Sequence, residues 1–239
     1  MFTVTDGDTL EVRTADGIVE RVRLIGIDAP ENGECLSDEA TRALASLVGG
    51  SVTLEDDATD RDRFGRWLRY VEADGTFVNA ELVGRGLAIA REYPPDTARQ
   101  AVLEAAEAQA QAAGIGLWDT AACGRATSAE LEIVEIVANP SGEDLDDLNR
   151  EYVVIRNNAD VEVDLSRWQV RDESASHRFD FPDGFRLAAG ASVTLRTGCG
   201  DPTASDLHWC NEASAVWNNQ GDTVFLIDPN GNIAVSRSY

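Results

Sequence analysis

Between Thr120 and Ala129 the chain runs TAACGRATSA, a stretch of small and weakly polar residues, and the hydrophobic pattern on its two sides obeys different rules. Before it, short apolar runs alternate with helical stretches, the last an alanine-rich segment closed by Gly114. After it the helical period is gone. Short apolar runs then recur about every ten residues, separated by turn signals at Asn139-Pro140, Asn157-Asn158, Pro182-Asp183-Gly184 and Pro229-Asn230-Gly231. A chain of 239 residues is long enough for two ordinary domains. The pattern predicts an α+β domain over 1–122, a linker over 123–129 and an all-β sandwich over 130–239.

In the first domain, strands are predicted over Thr3–Val12, Ile18–Ile27, Ser51–Glu55, Trp67–Glu72 and Thr76–Val78, with turns at Ala15-Asp16-Gly17 and Ala73-Asp74-Gly75. Three helices are predicted: Asp38–Val48 capped by Ser37, Ala80–Leu87 capped by Asn79, and a long one capped by Asp96 and running to about Ala113. Trp67, Tyr70, Phe77 and Trp118 read as core. In the second domain the predicted strands are Leu131–Val137, Glu151–Arg156, Gln169–Arg171, Ser192–Arg196, Thr223–Asp228 and Ile233–Ser236.

Charge narrows the function. Asp and Glu number 43 against 20 basic residues, a net charge of −23, and every basic residue is arginine. Without lysine there is neither a Walker-type phosphate loop nor a Schiff base. His177 and His208 are the only histidines and neither has a serine or cysteine partner suggested by the sequence, so a catalytic triad is not expected. The acidity argues against a broad basic face for nucleic acid and suits solubility or concentrated salt, where screening shortens repulsion. No apolar run is long enough to span a membrane. There is no basic-then-apolar leader, so an exported form would have lost its signal before this sequence begins. Cys35, Cys123, Cys199 and Cys210 contain no C-x-x-C pair and point to disulfides rather than zinc. Three pairings are open. One bridge within each half, Cys35–Cys123 and Cys199–Cys210, is preferred, and two bridges imply an oxidising, extracellular location.

Four fragments of the first domain carry chemistry: Asp6-Gly7-Asp8-Thr9, Arg23, Ile27-Asp28-Ala29-Pro30-Glu31 and Asp62-Arg63-Phe64-Gly65-Arg66. Singly, each has an ordinary structural reading as a turn, a cap or a solvated charged face. Together they make a set for cutting a phosphodiester. Asp8 and Asp28 are hard oxygen ligands suited to calcium. Glu31 is a general base for water, and Arg23 and Arg66 are permanent cations for phosphate oxygens and for the charge of the five-coordinate transition state.

The same fragments, in order and spacing, resemble the staphylococcal nuclease (thermonuclease) family over residues 2–119: DGDT, RVRLIGIDAPE, DRFGRWLRYV, ADGTFVNAELVGRGLA and the final GLW at Gly116–Trp118. The resemblance implies an OB-type five-stranded β-barrel with three helices. It also implies a calcium-dependent phosphodiesterase acting on DNA and RNA as endonuclease and exonuclease, with products carrying 3′-phosphates. By the same resemblance Asp8, Asp28 and the backbone carbonyl of Ala29 would ligate Ca2+, and Asp6 would support those ligands from behind. Arg23 and Arg66 would bind phosphate, Glu31 would be the base, and Arg63, Phe64 and Tyr93 would contact substrate. The sequence departs from the family where Ala29 replaces the usual threonine, where Phe64 replaces a frequent tyrosine, and across the shortened segment Arg91–Thr97. The lysines that commonly surround the site are absent, so modest affinity at low salt is expected.

Residues 130–239 resemble the lamin-tail domain, an immunoglobulin-like sandwich, through EYVVIRNNADVEVDLSRWQVRD, HRFDFPDGFRLAAGASVTLRTG and AVWNNQGDTVFLIDPNGN. A fold of this kind fixes no function. The run Asn218-Asn219-Gln220-Gly221-Asp222 is read as a polar hairpin turn, with calcium or sugar binding the alternative. His208 and Trp209 beside the Cys199–Cys210 loop are a candidate recognition surface, and Trp217 is read as core. The leading expectation is a secreted, monomeric nuclease whose second domain binds substrate, a cell surface or extracellular matrix. The alternative is a non-catalytic nucleic-acid-binding or adhesion scaffold, against which Asp8, Arg23, Asp28, Glu31 and Arg66 are all present.

Overall fold

A computed structural model describes residues 3–127, 129–140, 147–174, 177–211, 214–219 and 221–239. The chain divides into two compact units, Met1–Cys123 and Gly124–Tyr239. Among the described residues no helix is long and apolar enough to cross a membrane.

The first unit is mixed α+β. Its strands are β1 (Thr3–Val4), β2 (Thr9–Arg13), β3 (Val19–Leu24), β4 (Ile27–Asp28), β5 (Thr53–Glu55), β6 (Trp67–Ala73), β7 (Thr76–Phe77) and β8 (Ile89–Ala90). One sheet runs β1-β2-β3-β6-β5 with β7 added to β6, and β4 pairs with β8 in a separate ribbon. The two long strands predicted at the start are thus each broken in two. Thr3–Val12 is interrupted by the Thr5–Asp8 turn, and Ile18–Ile27 by a turn at Ile25-Gly26, where Gly26 has φ +76°. A Cβ on Gly26 would lie 2.4 Å from Leu103 Cδ1, so both the conformation and the space exclude a side chain there. That turn sends Asp28 back across the end of β3.

Three helices cover the sheet: α1 (Ser37–Leu47), α2 (Val78–Gly84) and α3 (Gln100–Ala113). Ala40 and Leu44 of α1, Val78, Leu82 and Val83 of α2, and Leu103 and Ala110 of α3 are buried. Ala40 and Leu44, like Val78 and Leu82, are four residues apart and Leu103 and Ala110 seven, the spacings of one helical face. Gly114 ends α3 in the left-handed conformation, as its position predicts. The predicted N-caps need correcting. Ser37 and Asn79 lie inside their helices, and α3 starts at Gln100, four residues after Asp96. Asn79 and Asp96 bond elsewhere. Asn79 is fully buried; its Oδ1 accepts from the Val71 N–H at 3.0 Å and its Nδ2 donates to the Ile25 carbonyl at 2.8 Å. Asp96 accepts from the Thr59 N–H at 2.7 Å. Tyr70 is core as predicted, whereas Trp67, Phe77 and Trp118 are half-buried. Trp67 carries the guanidinium groups of Arg61 and Arg69 on its ring.

The second unit is β-rich. One four-stranded sheet has the order Asp206–His208, Ser192–Arg196, Tyr152–Asn157, Leu131–Val137, and another the order Arg178–Asp180, Gln169–Arg171, Thr223–Ile227, Ile233–Ser238. Val163–Asp164 and Arg186–Leu187 form a further pair. Trp168 and Trp217, each 1% exposed, anchor its core with Val153, Ile155, Val193 and Leu226. Gln220 of the predicted polar turn lies outside the described residues. Within that stretch Asp222 accepts backbone N–H groups from Asn218 (3.1 Å) and Thr223 (2.8 Å).

Candidate active site

The charged fragments converge where the Thr5–Asp8 turn, the end of β3 and the start of β4 meet. Gly7 lets them close up: a Cβ there would sit 2.6 Å from the Ala29 Cβ and 2.7 Å from that of Ala40. Asp8 is 6% exposed and Asp28 8%. Asp8 Oδ2 accepts the Ala29 N–H at 3.0 Å and faces Arg23 Nη2 at 3.1 Å, while Thr9 Oγ1 donates to Asp8 Oδ1 at 3.0 Å. Arg23 Nη2 also donates to Asp28 Oδ1 at 2.7 Å, and its Nη1 donates to the carbonyls of Leu24 (2.6 Å) and Ile27 (2.8 Å). One buried guanidinium therefore bridges two buried carboxylates.

The electrostatics show an excess of negative charge. Burial, partly offset by Arg23 and reinforced by Asp8, pushes the Asp28 carboxyl up to about 6. Burial works against the charge on Arg23, but Asp8 and then Asp28 outweigh it and raise its pKa. Burial and the neighbouring Asp8 also raise Asp6, whose Oδ1 accepts the Asp8 N–H at 3.1 Å. Glu31 is exposed at the mouth, and burial followed by the charges of Asp8, Asp6 and Glu34 raises its pKa. Its backbone is tied into a turn by Glu34, whose Oε2 accepts the Glu31 N–H at 2.9 Å. The Glu31 carboxylate itself accepts no hydrogen bond among the described residues.

Arg66 reaches the cluster through Thr9, to whose Oγ1 its Nη1 donates at 3.4 Å, while its Nε pairs with Asp62 Oδ2 at 2.6 Å. Phe64 is 65% exposed and lies between the guanidinium groups of Arg63 (4.8 Å) and Arg66 (5.5 Å). Tyr93 is half-buried, with the Arg91 guanidinium over its ring. Burial, opposed by Arg23, pushes its phenol up to about 12.

The structure thus brings Asp8, Arg23, Asp28 and Ala29 into direct contact, sets Asp6 behind Asp8, and joins Arg66 with Arg63 and Phe64 through Thr9. Glu31 stands beside the acids without touching them. Sequence reasoning gave no role to Thr9, Asp62 or Arg91, all of which link the cluster. Asp62 and Thr9 were visible as fixed offsets from Arg66 and Asp8. Arg91 followed an apolar run in the shortened segment and had no pattern to mark it.

Among the described residues no three His, Cys, Asp or Glu side chains are gathered at metal-holding distances. The donor chemistry nevertheless fits a hard cation. Two buried carboxylates converge on one positive group, and their neighbours Asp6 and Glu31 add uncompensated charge. A calcium shell takes its remaining oxygens from carbonyls, water and substrate.

In the second unit, His208 lines an open groove of about 850 Å³ with Asn149, Tyr152, Arg196 and Asp206. Arg196 pairs there with Asp206 at 2.9 Å and donates to the Asn149 carbonyl at 2.7 Å. Trp209 packs against the rings of Phe179 and Trp217. Cys35 is bridged to Cys123 and Cys199 to Cys210.

Comparison with known proteins agrees with this division of the chain. The family described as staphylococcal nuclease homologue matches residues 21–120, and the Lamin Tail Domain family matches residues 125–239. The chain is 35% identical over 126 residues to a thermonuclease of Staphylococcus intermedius, covering 48% of this chain and 73% of that protein. It is 36% identical over 128 residues to a thermonuclease of Staphylococcus hyicus, covering 49% and 73%. The SPbeta prophage-derived endonuclease YokF of Bacillus subtilis (strain 168) is 36% identical over 122 residues, covering 47% of this chain and 41% of that protein.

Proposed function

We propose, from the premise that this chain belongs to the staphylococcal nuclease family and carries a lamin tail domain behind it, that it is an extracellular, calcium-dependent nuclease hydrolysing DNA and RNA. The observation that carries the reading is the pair of buried carboxylates, Asp8 and Asp28, facing one guanidinium beside an unbonded Glu31. In this reading Asp8, Asp28 and the Ala29 carbonyl hold Ca2+, and Asp6 orients Asp8 through its backbone N–H. When bound, the ion offsets phosphate charge and polarises a water.

The chain's own groups do the rest. Glu31 accepts the proton of the attacking water, whose oxygen bonds to phosphorus as the bond to the leaving oxygen breaks and that oxygen takes a proton from solvent. Arg66 holds a phosphate oxygen with the nitrogen that neither Asp62 nor Thr9 uses. Arg23 steadies the two carboxylates and offers its Nη2 edge to the developing charge. Phe64, with Arg63 and Arg66, stacks a base. The leaving oxygen is the 5′ one, giving 3′-phosphates, and the second unit binds substrate or a surface.

The test is degradation of linear double-stranded DNA by the full chain, with calcium and with chelator, across a salt series. Calcium-dependent cleavage with an optimum above the lowest salt is expected, because screening first relieves the repulsion of the acidic surface and then weakens phosphate contacts. Absence of cleavage by folded, disulfide-bonded protein would favour the binding-module reading.

A further inference from the structure

Arg91, like Arg66, is a part-exposed guanidinium beside the buried acids. Its backbone N–H donates to the Gly26 carbonyl at 2.9 Å, fixing the chain just after β8 against the turn that aims Asp28. From there its guanidinium lies over the Tyr93 ring, 4.5 Å from the centroid, and 3.9 Å from Asp28 Oδ2. The second distance is too long for a hydrogen bond. Among the described residues no acceptor is hydrogen-bonded to the Arg91 side chain. Arg23, by contrast, has both terminal nitrogens engaged by carbonyls and carboxylates, and Arg66 is half engaged by Asp62 and Thr9.

The contacts follow one another as Arg66, Thr9, Asp8, Arg23, Asp28, Arg91, Tyr93. The two part-exposed cations therefore reach the buried acids by different routes, Arg66 through Thr9 and Arg91 beside Asp28. Asp6, Asp8, Asp28 and Glu31 would repel a polyanion unless cations received it at the rim. A polynucleotide carries a further phosphate beside the one being cut, and a guanidinium with free N–H groups suits that anion.

We infer that Arg91 is a substrate-contacting residue that binds the phosphate next to the scissile one, with the Tyr93 ring holding its guanidinium from behind. This rests on the nuclease reading for the position of the scissile phosphate.

The test measures binding separately from cleavage. In a Glu31→Gln background with calcium, the Kd of a short fluorescent single-stranded DNA is followed across a salt series. Arg91→Gln should weaken binding about tenfold and reduce the slope of log K against log salt by about one phosphate contact, at an unchanged melting temperature. Arg91→Lys should recover most of the slope. No binding by the parent, or equal affinity and slope in parent and variant, overturns the inference.

With Glu31 restored, Arg91→Gln should raise KM for the oligonucleotide by a larger factor than it changes kcat, and should raise KM much less for a dinucleoside monophosphate, which lacks the neighbouring phosphate. An equal loss of kcat on both substrates would mean that Arg91 acts only through Asp28, and would also overturn it. If the parent binds DNA through Arg91 but the Glu31 form never cuts it, the nuclease reading fails and the Arg91 contact stands.

Discussion

The two units bury the same kind of side chain and surround it differently. In the second unit Glu151, 2% exposed, accepts the backbone N–H groups of Val216 at 3.1 Å and Trp217 at 2.9 Å. Asp228 accepts the N–H groups of Asn230 (2.8 Å) and Asn232 (2.9 Å) and the Thr127 hydroxyl (2.6 Å). These partners are fixed once the chain folds, so the acids are part of the scaffold. In the first unit Asp8 and Asp28 face a guanidinium and each other. Asp8 also accepts the Ala29 N–H at 3.0 Å, so what sets the first unit apart is the guanidinium shared by two acids, a partner that another cation can replace. Burial is common to both sets of acids, and the nature of the partner is what differs.

The largest expected effect separates the units by chemistry. Glu31→Gln should lower cleavage by at least ~100-fold, the scale of losing a positioned base, while the melting temperature holds. Equal rates for variant and parent would remove Glu31 from the mechanism. Glu151→Ala should do the reverse. It leaves two buried N–H groups unpaired, costing about 1–3 kcal/mol of stability in the second unit, with kcat in the first unchanged. A catalytic loss at unchanged stability would break the distinction.

The disulfides sharpen the comparison at a smaller scale. Cys35 lies between Glu31 and α1, and its bridge to Cys123 closes a span of 88 residues. Replacing both cysteines by serine should slow cleavage by about tenfold, because a small misplacement of a reacting group is costly. The same change at Cys199 and Cys210, in the other unit, should leave cleavage intact. Equal effects from the two pairs would contradict the assignment of the chemistry to the first.

The smallest effect is a pH slope. Glu107 on α3 accepts the Ala90 N–H at 2.9 Å and so supports the β4–β8 ribbon that carries Asp28. Burial, opposed by that hydrogen bond and reinforced by Glu104, pushes its pKa to about 7. Its folded pKa lies above the unfolded value of about 4.3, so between the two the folded state holds a proton the unfolded state lacks. Stability of the first unit should therefore rise as pH falls from about 7 toward about 4.3, and be lost as pH rises through 7. Glu107→Gln keeps an acceptor and should flatten that slope in melting curves. An unaltered slope would assign it to other groups.

Much of this was legible in the sequence. Leu131–Val137, Gln169–Arg171 and Ser192–Arg196 fall where alternation and turn residues place them, and Gly114 ends α3 as its type demands. What escaped depends on tertiary contacts. Asn79 looks like a helix cap, but burial gives it two backbone partners from other elements. The strands Ile89–Ala90 and Val163–Asp164 are too short to show a period, and exist because a neighbouring strand supplies their bonds. In the site, resemblance named Asp8, Arg23, Asp28, Glu31 and Arg66. Alternation alone could not bring Arg23 and Asp28 together, because the Gly26 turn resets the facing between them. Arg91 was illegible because its place is set by one backbone bond to Gly26.

The central claim is that the chemistry belongs to the first unit alone. The most direct test is cleavage of DNA by a chain ending at Cys123, which retains the bridge to Cys35, against the full chain in calcium and in chelator. The account predicts calcium-dependent cleavage with kcat close to that of the full chain, any difference appearing in KM. A folded, bridged first unit that binds DNA but does not cut it, beside a full chain that does, would contradict it.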